Sequence, residues 1–283
     1  MQNQKFTKII SNKPRSLLES FFAIFSSKFI IYSLIRKNII ISYSQSFVGP
    51  LYFFLLPLLQ AIVFNFFLNS IFETDSSSTE SFIFILISMT FWSFFSNLTI
   101  KCANSYFLNK KLISKVYFDR LVFFIQSAVL ATLNFSINFI LAFVIIFLFY
   151  LFKKDLGIIF SYKVLLLPFF IFYSCLFSLF IGIVIASVSI KLRDLLYGLG
   201  FAFQMILFIS PVLYSLGKLN GLVYSLMIFN PVTFLLEGFR WFFYANTTID
   251  SNVLLINIFY FVILIFTASR LYKKSNLILS DQI

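Results

Sequence analysis

The chain has 283 residues, of which 60% are hydrophobic, 21% aromatic and only 11% charged. Soluble domains carry about 25% charged residues, so this composition excludes an ordinary cytosolic enzyme, and its aromatic content excludes a disordered tail. Lys+Arg 22 against Asp+Glu 10 gives a net charge of +12, which in so apolar a chain reads as membrane topology and anionic lipid rather than nucleic acid.

Each crossing needs about 20 apolar residues, so the length admits six spans and their loops but no additional catalytic domain. Residues 1–16 are polar and basic, with Lys5, Lys8, Lys13 and Arg15, and read as a cytoplasmic tail. No small-residue cleavage site closes the first apolar run, so no cleavable signal peptide is expected. From Leu17 to Phe47 the apolar run is interrupted by Glu19, Lys28, Arg36 and Lys37. Residues 29–46 are expected to form an amphipathic helix on the membrane surface, its Ile and Leu residues toward lipid and Lys28, Arg36 and Lys37 toward phosphates. The alternative is a spanning helix over 17–35, in which Glu19 and Lys28 would be costly.

The spans then follow at 51–72, 82–99, 121–152, 164–190, 195–214 and 253–269. Pro50 suits the first turn of the first span. The loop 73–81 is acidic and Ser-rich, residues 101–120 form a basic loop, and 270–283 form a basic tail. With the N-terminus inside, 17 of the 22 cations fall on the inner side: those before span one, Lys101, Lys110, Lys111, Lys115, Arg120, Lys191, Arg193, Arg270, Lys273 and Lys274. Lys153, Lys154, Lys163, Lys218 and Arg240 fall outside, as do Glu73, Asp75 and Glu80. This bias predicts a multi-pass protein with both termini cytoplasmic.

Residues 215–252 leave and return on the outer face yet are greasy. Their two apolar arms are too short to cross about 30 Å of hydrocarbon at 1.5 Å per residue. Asn230-Pro231 breaks the helix between them. A re-entrant hairpin is expected, and Glu237 and Arg240, three residues apart, can pair on one side of the second arm. The alternative is two helices lying on the surface.

Several chemistries are excluded. The chain has no His, which removes His acid–base and metal sites. Cys102 and Cys175 lie in apolar runs and cannot build a zinc site, so no metal is expected. No G-x-x-x-x-G-K-[ST] occurs, so ATP is not bound through a P-loop. Several amides lie within the spans. Gln60 lies in span one, Asn65 and Asn69 share one face of it, Asn134 and Asn138 repeat that spacing in span three, and Gln204 lies in span five. They suit an uncharged, hydroxyl-friendly path or, equally, hydrogen-bond glue between helices. Tyr52, Phe53 and Trp92 near span ends read as interfacial anchors, with sugar stacking as the sharper alternative.

Four stretches resemble one family, in its order. LIRKNIIISYSQSFVGPLYFFLLPLL (34–59) is similar to the family's basic pair, R-Y-x-Q-S-like turn and L-G-P-L-W opening. WSFFSNLTIKCANSYFLNKKLISKVYFDR (92–120) resembles a second span and a cytoplasmic loop ending K-V-Y-F-P-R. KLRDLLYGLGFAFQMILFISPVLY (191–214) resembles the R-D…Q…S-P-V-I-Y span, and NPVTFLLEGFRWFFYA (230–245) the N-P…E-x-x-R element. Together these are similar to the ABC-2-type polysaccharide export permeases. Tyr43 stands where the family often has Arg, Tyr52 where Trp is usual, and Asp119 where Pro is usual.

The resemblance implies an all-α membrane protein that is no enzyme. Residues 1–46 would be the tail and interfacial helix, and 47–283 the transmembrane domain. It would export a lipid-linked glycan such as O-antigen, capsule or teichoic acid across the cytoplasmic membrane. It implies a homodimer of this chain with two copies of a separate ATPase that holds ATP and Mg, in contact with membrane lipids and not with nucleic acid. Asn109, Lys115, Val116, Tyr117, Phe118, Asp119 and Arg120 would meet the ATPase. Lys28, Arg36, Lys37 and Tyr43 would meet headgroups. Tyr52, Gln60, Asn65, Asn69, Asn134, Asn138 and Gln204 would line the glycan path. Ser210, Pro211, Asn230, Pro231, Glu237 and Arg240 would form an outer gate. An ABC-2 exporter of a lipid or drug, a polyprenol-phosphate glycosyltransferase and a non-transport scaffold are the rival functions. The glycosyltransferase has only Asp119 and Asp194 to offer as acids, each beside an arginine.

Overall fold

A computed structural model describes residues 16–24, 27–43, 49–72, 78–113, 119–152, 162–244 and 249–280. Among them there are helices and no strands. Two short helices, α1 (Leu17–Ile24) and α2 (Lys28–Tyr43), precede α3 (Gly49–Phe72) and α4 (Ser78–Ala103). The small helices α5 (Ser105–Leu108) and α6 (Lys110–Ile113) lead to α7 (Leu121–Phe152). Then come α8 (Leu167–Ser189), α9 (Asp194–Ile209), α10 (Gly221–Ile228), α11 (Thr233–Trp241) and α12 (Ser251–Ser280).

Among the described residues, four helical stretches are long and apolar enough to cross a membrane: Thr79–Ala103, Leu121–Phe152, Tyr162–Ser189 and Ser251–Leu279. The bent pair α10–α11 makes a fifth candidate. α9 has 16 residues and stops at Ile209, where a span to Tyr214 was expected. At about 1.5 Å per residue it falls short of a full crossing.

α4 is the axis of the bundle. It touches α3, α7, α8, α9 and α11, and most of its length is buried. Trp92 therefore sits in the core, 5% exposed, against Phe95 and Phe203. The expected interfacial anchor is instead a packing residue, because it falls midway along α4. The hydroxyls of α4 bond to its own backbone. Ser88 donates to the Phe84 carbonyl, Thr90 to Leu86, Ser96 to Trp92 and Thr99 to Phe95, all within 2.8–2.9 Å. Such back-bonding satisfies a polar side chain without a partner helix.

Small residues set the closest approaches. A Cβ on Gly182 of α8 would stand 2.3 Å from Cys102 Cβ and 3.2 Å from the Thr99 carbonyl oxygen. Only hydrogen fits where α8 crosses α4. α7 buries Phe124, Ala128, Ala131, Phe135, Asn138, Ala142 and Ile146, a three-and-four spacing that keeps one stripe on the core.

α1 opens with a capping box. The Ser16 N–H donates to Glu19 Oε2 at 3.0 Å and the Glu19 N–H to Ser16 Oγ at 3.3 Å. Glu19 thus serves a helix start, and no single helix runs over 17–35. α2 exposes Lys28, Phe29, Tyr32, Arg36, Lys37 and Ile40 along one side. The other side, Ile30, Ile31, Leu34, Ile35 and Ile39, is half-buried, and α2 packs on α7. The cations share a face as expected, but aromatic and aliphatic residues accompany them, and five of the seven Ile and Leu residues are half-buried. The Tyr43 side chain lies outside the described residues.

The last helix corrects the sequence reading most. α12 continues to Ser280, and no loose basic tail begins at Arg270. Its inward stripe of Val253, Asn257, Ala268, Tyr272 and Ser275 is buried to the end, while Arg270, Lys273 and Lys274 face outward.

Candidate functional site

Four of the expected gate residues are joined by hydrogen bonds or an ion pair, and a fifth accepts from the same guanidinium. Helix α9 ends at Ser210, and the chain turns through Pro211–Tyr214. α10 and α11 then meet at 92°. The Asn230 side chain fixes that corner, its Nδ2 donating to Ser210 Oγ at 3.0 Å while its Oδ1 accepts the Val232 N–H at 3.0 Å. Thr233 caps α10 by donating to the Met227 carbonyl at 2.7 Å. The Pro231 carbonyl accepts from Asn257 Nδ2 of α12 at 2.9 Å, and the Tyr173 hydroxyl of α8 donates to Asn257 Oδ1. Tyr260 of α12 donates to the Phe229 carbonyl at 3.0 Å.

Arg240 holds the other side of the hairpin. It is 1% exposed, and its guanidinium caps the turn after α9. Nη2 donates to the Pro211 carbonyl, Nη1 to the Tyr214 carbonyl at 3.1 Å and Nε to the Leu236 carbonyl at 3.4 Å. Its Cζ lies 4.4 Å from the centre of the Phe84 ring. Glu237 pairs with it at 3.7 Å, as its spacing predicted, but also accepts the Leu216 N–H at 2.9 Å. The planar fork reaches several carbonyls at once, a geometry that Lys cannot supply. Phe239 stacks on Phe91 at 4.7 Å, and Gly238 lets α11 approach Phe170, whose ring a Cβ would meet at 2.6 Å. α11 is therefore almost wholly buried, whereas Leu222, Val223, Leu226 and Phe229, in and just after α10, are exposed.

At the opposite end, Lys115, Val116, Tyr117 and Phe118 lie outside the described residues. Asn109 closes α5, donating to the Ser105 carbonyl at 2.9 Å. Asp119 Oδ1 accepts the Leu121 N–H at 3.1 Å and the Tyr272 hydroxyl at 2.8 Å. Arg120 Nη1 donates to the Asn276 carbonyl at 2.7 Å, with Asn276 Oδ1 at 3.3 Å. The Tyr106 hydroxyl lies 3.1 Å from Ser275 Oγ. Burial pushes the Tyr106 phenol well above its ordinary pKa, so it stays neutral. Asp119 and Arg120 thus face α12. Sequence reasoning missed Tyr106, Tyr272, Ser275 and Asn276. The signal was present, because the spacing Ala268, Tyr272, Ser275 and Leu279 carries the helical stripe past the basic residues.

The amides of the expected glycan path differ in burial. Asn69 Nδ2 donates to Asn65 Oδ1 at 3.1 Å, both half-buried on α3. Gln60 and Asn134 are half-buried, Asn138 is buried and Gln204 is exposed on α9. The Tyr52 side chain lies outside the described residues. No group of three or more acidic or Cys side chains that could hold a metal occurs among the described residues.

Comparison with known proteins matches the sequence to a family. Over 251 residues the chain is 24% identical to the O-antigen export system permease protein RfbA of Myxococcus xanthus, covering 87% of this chain and 92% of that one. It is 21% identical over 233 residues to the protein of the same name from Klebsiella pneumoniae, covering 82% and 85%. The model of the ABC-2 type transporter family matches residues 30–244, from α2 through the hairpin. The chain therefore belongs to the ABC-2 type transporter family.

Proposed function

We propose that this chain is the membrane permease of an ABC transporter that exports an O-antigen-like, lipid-linked polysaccharide across the cytoplasmic membrane. The similarity to O-antigen export permeases over nearly the full length of both chains carries this reading. The sequence has no P-loop, so a separate ATPase supplies ATP and Mg, and the family is one of ATP-driven transporters.

The finer architecture belongs to the same proposal. α3 and α9 complete six spans, and both termini face the cytoplasm, as the charge bias favours. Two copies of the chain enclose the path and bind two ATPases at residues 109–120. α2 lies at the membrane surface, where Lys28, Arg36, Lys37 and Tyr43 meet headgroups. Tyr52, Gln60, Asn65, Asn69, Asn134, Asn138 and Gln204 supply uncharged contacts along the path. α10 and α11 re-enter the membrane from outside and gate it. Their lengths of 8 and 9 residues support this, since at about 1.5 Å per residue neither can cross.

Deleting the gene should remove the glycan from the cell surface while its lipid-linked form accumulates at the cytoplasmic leaflet. Normal surface glycan in the deletion strain would refute the proposal. Labelling of a cysteine at Tyr117 by an impermeant reagent from outside intact cells would refute the orientation.

A further inference from the structure

The final turns of α12 are built as a clamp. Tyr272 and Ser275 are buried, 0% and 1% exposed. Tyr272 donates to Asp119, Ser275 meets Tyr106, and Asn276 accepts Arg120. The Tyr272 hydroxyl also lies 3.4 Å from Ser20 Oγ, which brings α1 to the same point. Segment 109–118 is thereby bracketed. Its upstream root is held at Tyr106 in α5, and its downstream root at Asp119 and Arg120 before α7.

The same helix grips the hairpin at its other end. Asn257 bonds the Pro231 carbonyl and Tyr260 the Phe229 carbonyl. Asn257 and Tyr272 are separated by about four helical turns, or about 22 Å. No Pro or Gly occurs between Ser251 and Ser280, so the helix has no built-in hinge. One unbroken rod connects the roots of the basic segment with the Asn-Pro corner.

We propose that Tyr272 and Ser275 are positioning residues for export, Tyr272 clamping the downstream root of the ATPase-facing segment and Ser275 the upstream root to α12, which transmits its displacement to the hairpin corner. This rests on the export reading and on the ATPase meeting residues 109–120. A purely structural role would alter how much folded protein is recovered. The clamp also sets how much glycan moves per ATP hydrolysed.

The test uses the full complex with its ATPase, comparing wild type, Tyr272→Phe and Ser275→Ala. Co-purified ATPase, ATP hydrolysis and surface glycan are measured for each and normalised to the folded complex. ATPase recovery and hydrolysis should stay close to wild type. Glycan exported per ATP should fall roughly tenfold in Tyr272→Phe, the equivalent of one hydrogen bond to a charged partner, and less in Ser275→Ala, whose partner is neutral. Unchanged export per ATP in both variants would overturn the clamp. A second arm replaces Tyr106 and Ser275 by cysteines and joins them with a short reducible bis-methanethiosulfonate cross-linker, which fills the span of the tyrosine ring that a direct disulfide could not bridge. Because α5 and α12 move together, the cross-linked complex should still export. Loss of export on cross-linking, restored by reduction, would overturn the proposal even if Tyr272→Phe failed to fold. If the wild-type complex exports no glycan, the export reading itself falls and the clamp with it. If wild type and both variants export equally per ATP, only the clamp falls.

Discussion

At the hairpin end one buried guanidinium collects three carbonyls and a carboxylate. At the far end of α12 the ties are shared among Tyr272, Ser275, the Asn276 carbonyl, Ser20, Tyr106, Asp119 and Arg120, spread over α1, α5, the approach to α7 and α12. The first arrangement concentrates its cost in one residue. A buried charge is expensive to desolvate, and each carbonyl it leaves becomes an orphan. The second divides its strength among several modest bonds, so each can be lost and reformed separately. An element that must keep its shape suits the first, and a joint that must give and re-form suits the second.

Arg240→Ala should be the most damaging single change. It strands the Pro211 and Tyr214 carbonyls and empties the space beside Phe84, at a cost of about 3 kcal/mol or more. Thermal unfolding of the purified protein should show a clear loss. Arg240→Lys should recover only part, because one ammonium cannot reproduce the fork. A variant as stable as wild type would show that the hairpin does not depend on this residue.

Gly182→Ala tests the region between the two ends. The added methyl has no room against Cys102 and should cost about 1–3 kcal/mol by overpacking. Gly198→Ala on α9, where nothing lies within 4 Å of the added atom, is the control and should unfold like wild type. Equal melting temperatures for the two would contradict the close α4–α8 crossing.

Glu237→Ala should have a smaller effect, about 1 kcal/mol. Arg240 keeps its carbonyls, and the loss is chiefly the Leu216 N–H bond and a 3.7 Å ion pair. Glu237→Ala/Arg240→Ala should be no better than Arg240→Ala alone. A rescue in the double variant would mean that the ion pair dominates the carbonyl bonds.

The smallest effect is expected at the half-buried pair Tyr224–Asp250. The Tyr224 hydroxyl and then the Asn252 N–H hold the Asp250 carboxyl below its ordinary range. A depressed carboxylate stabilises the fold above its unfolded pKa, and that contribution disappears as pH falls through the folded value. Tyr224→Phe should flatten the acid side of the stability–pH profile slightly. An unchanged profile would dismiss the pair.

Much of the fold was legible. The limits of α7 fall where the apolar run begins and ends, since Arg120 and Lys153 bracket it in the sequence. The break between α10 and α11 was legible because Asn230-Pro231 stops a helix there. The partners of Arg240 were not, because they are backbone carbonyls at positions 211 and 214, and a carbonyl has no sequence signature. Trp92 was misread for a related reason. Tryptophan suits both an interface and a crowded core, and only the neighbours of α4 decide between them. The end of α12 was misread because the outward cations Arg270, Lys273 and Lys274 hid the inward stripe beside them.

The self-bonded hydroxyls of α4 bear on how the protein is made. α4 is synthesised before α7, α8 and α11, which later bury it. For that interval it is a helix with Ser and Thr side chains and few companions. Each of Ser88, Thr90, Ser96 and Thr99 has already given its hydrogen to a carbonyl of the same helix. The nascent segment can therefore enter lipid with these side chains satisfied and wait there for its neighbours. Replacing these residues by Asn or Gln, whose amides have two donor hydrogens, would leave a donor seeking another helix during that wait. The composition of the central helix is suited to its biogenesis as well as to its final packing.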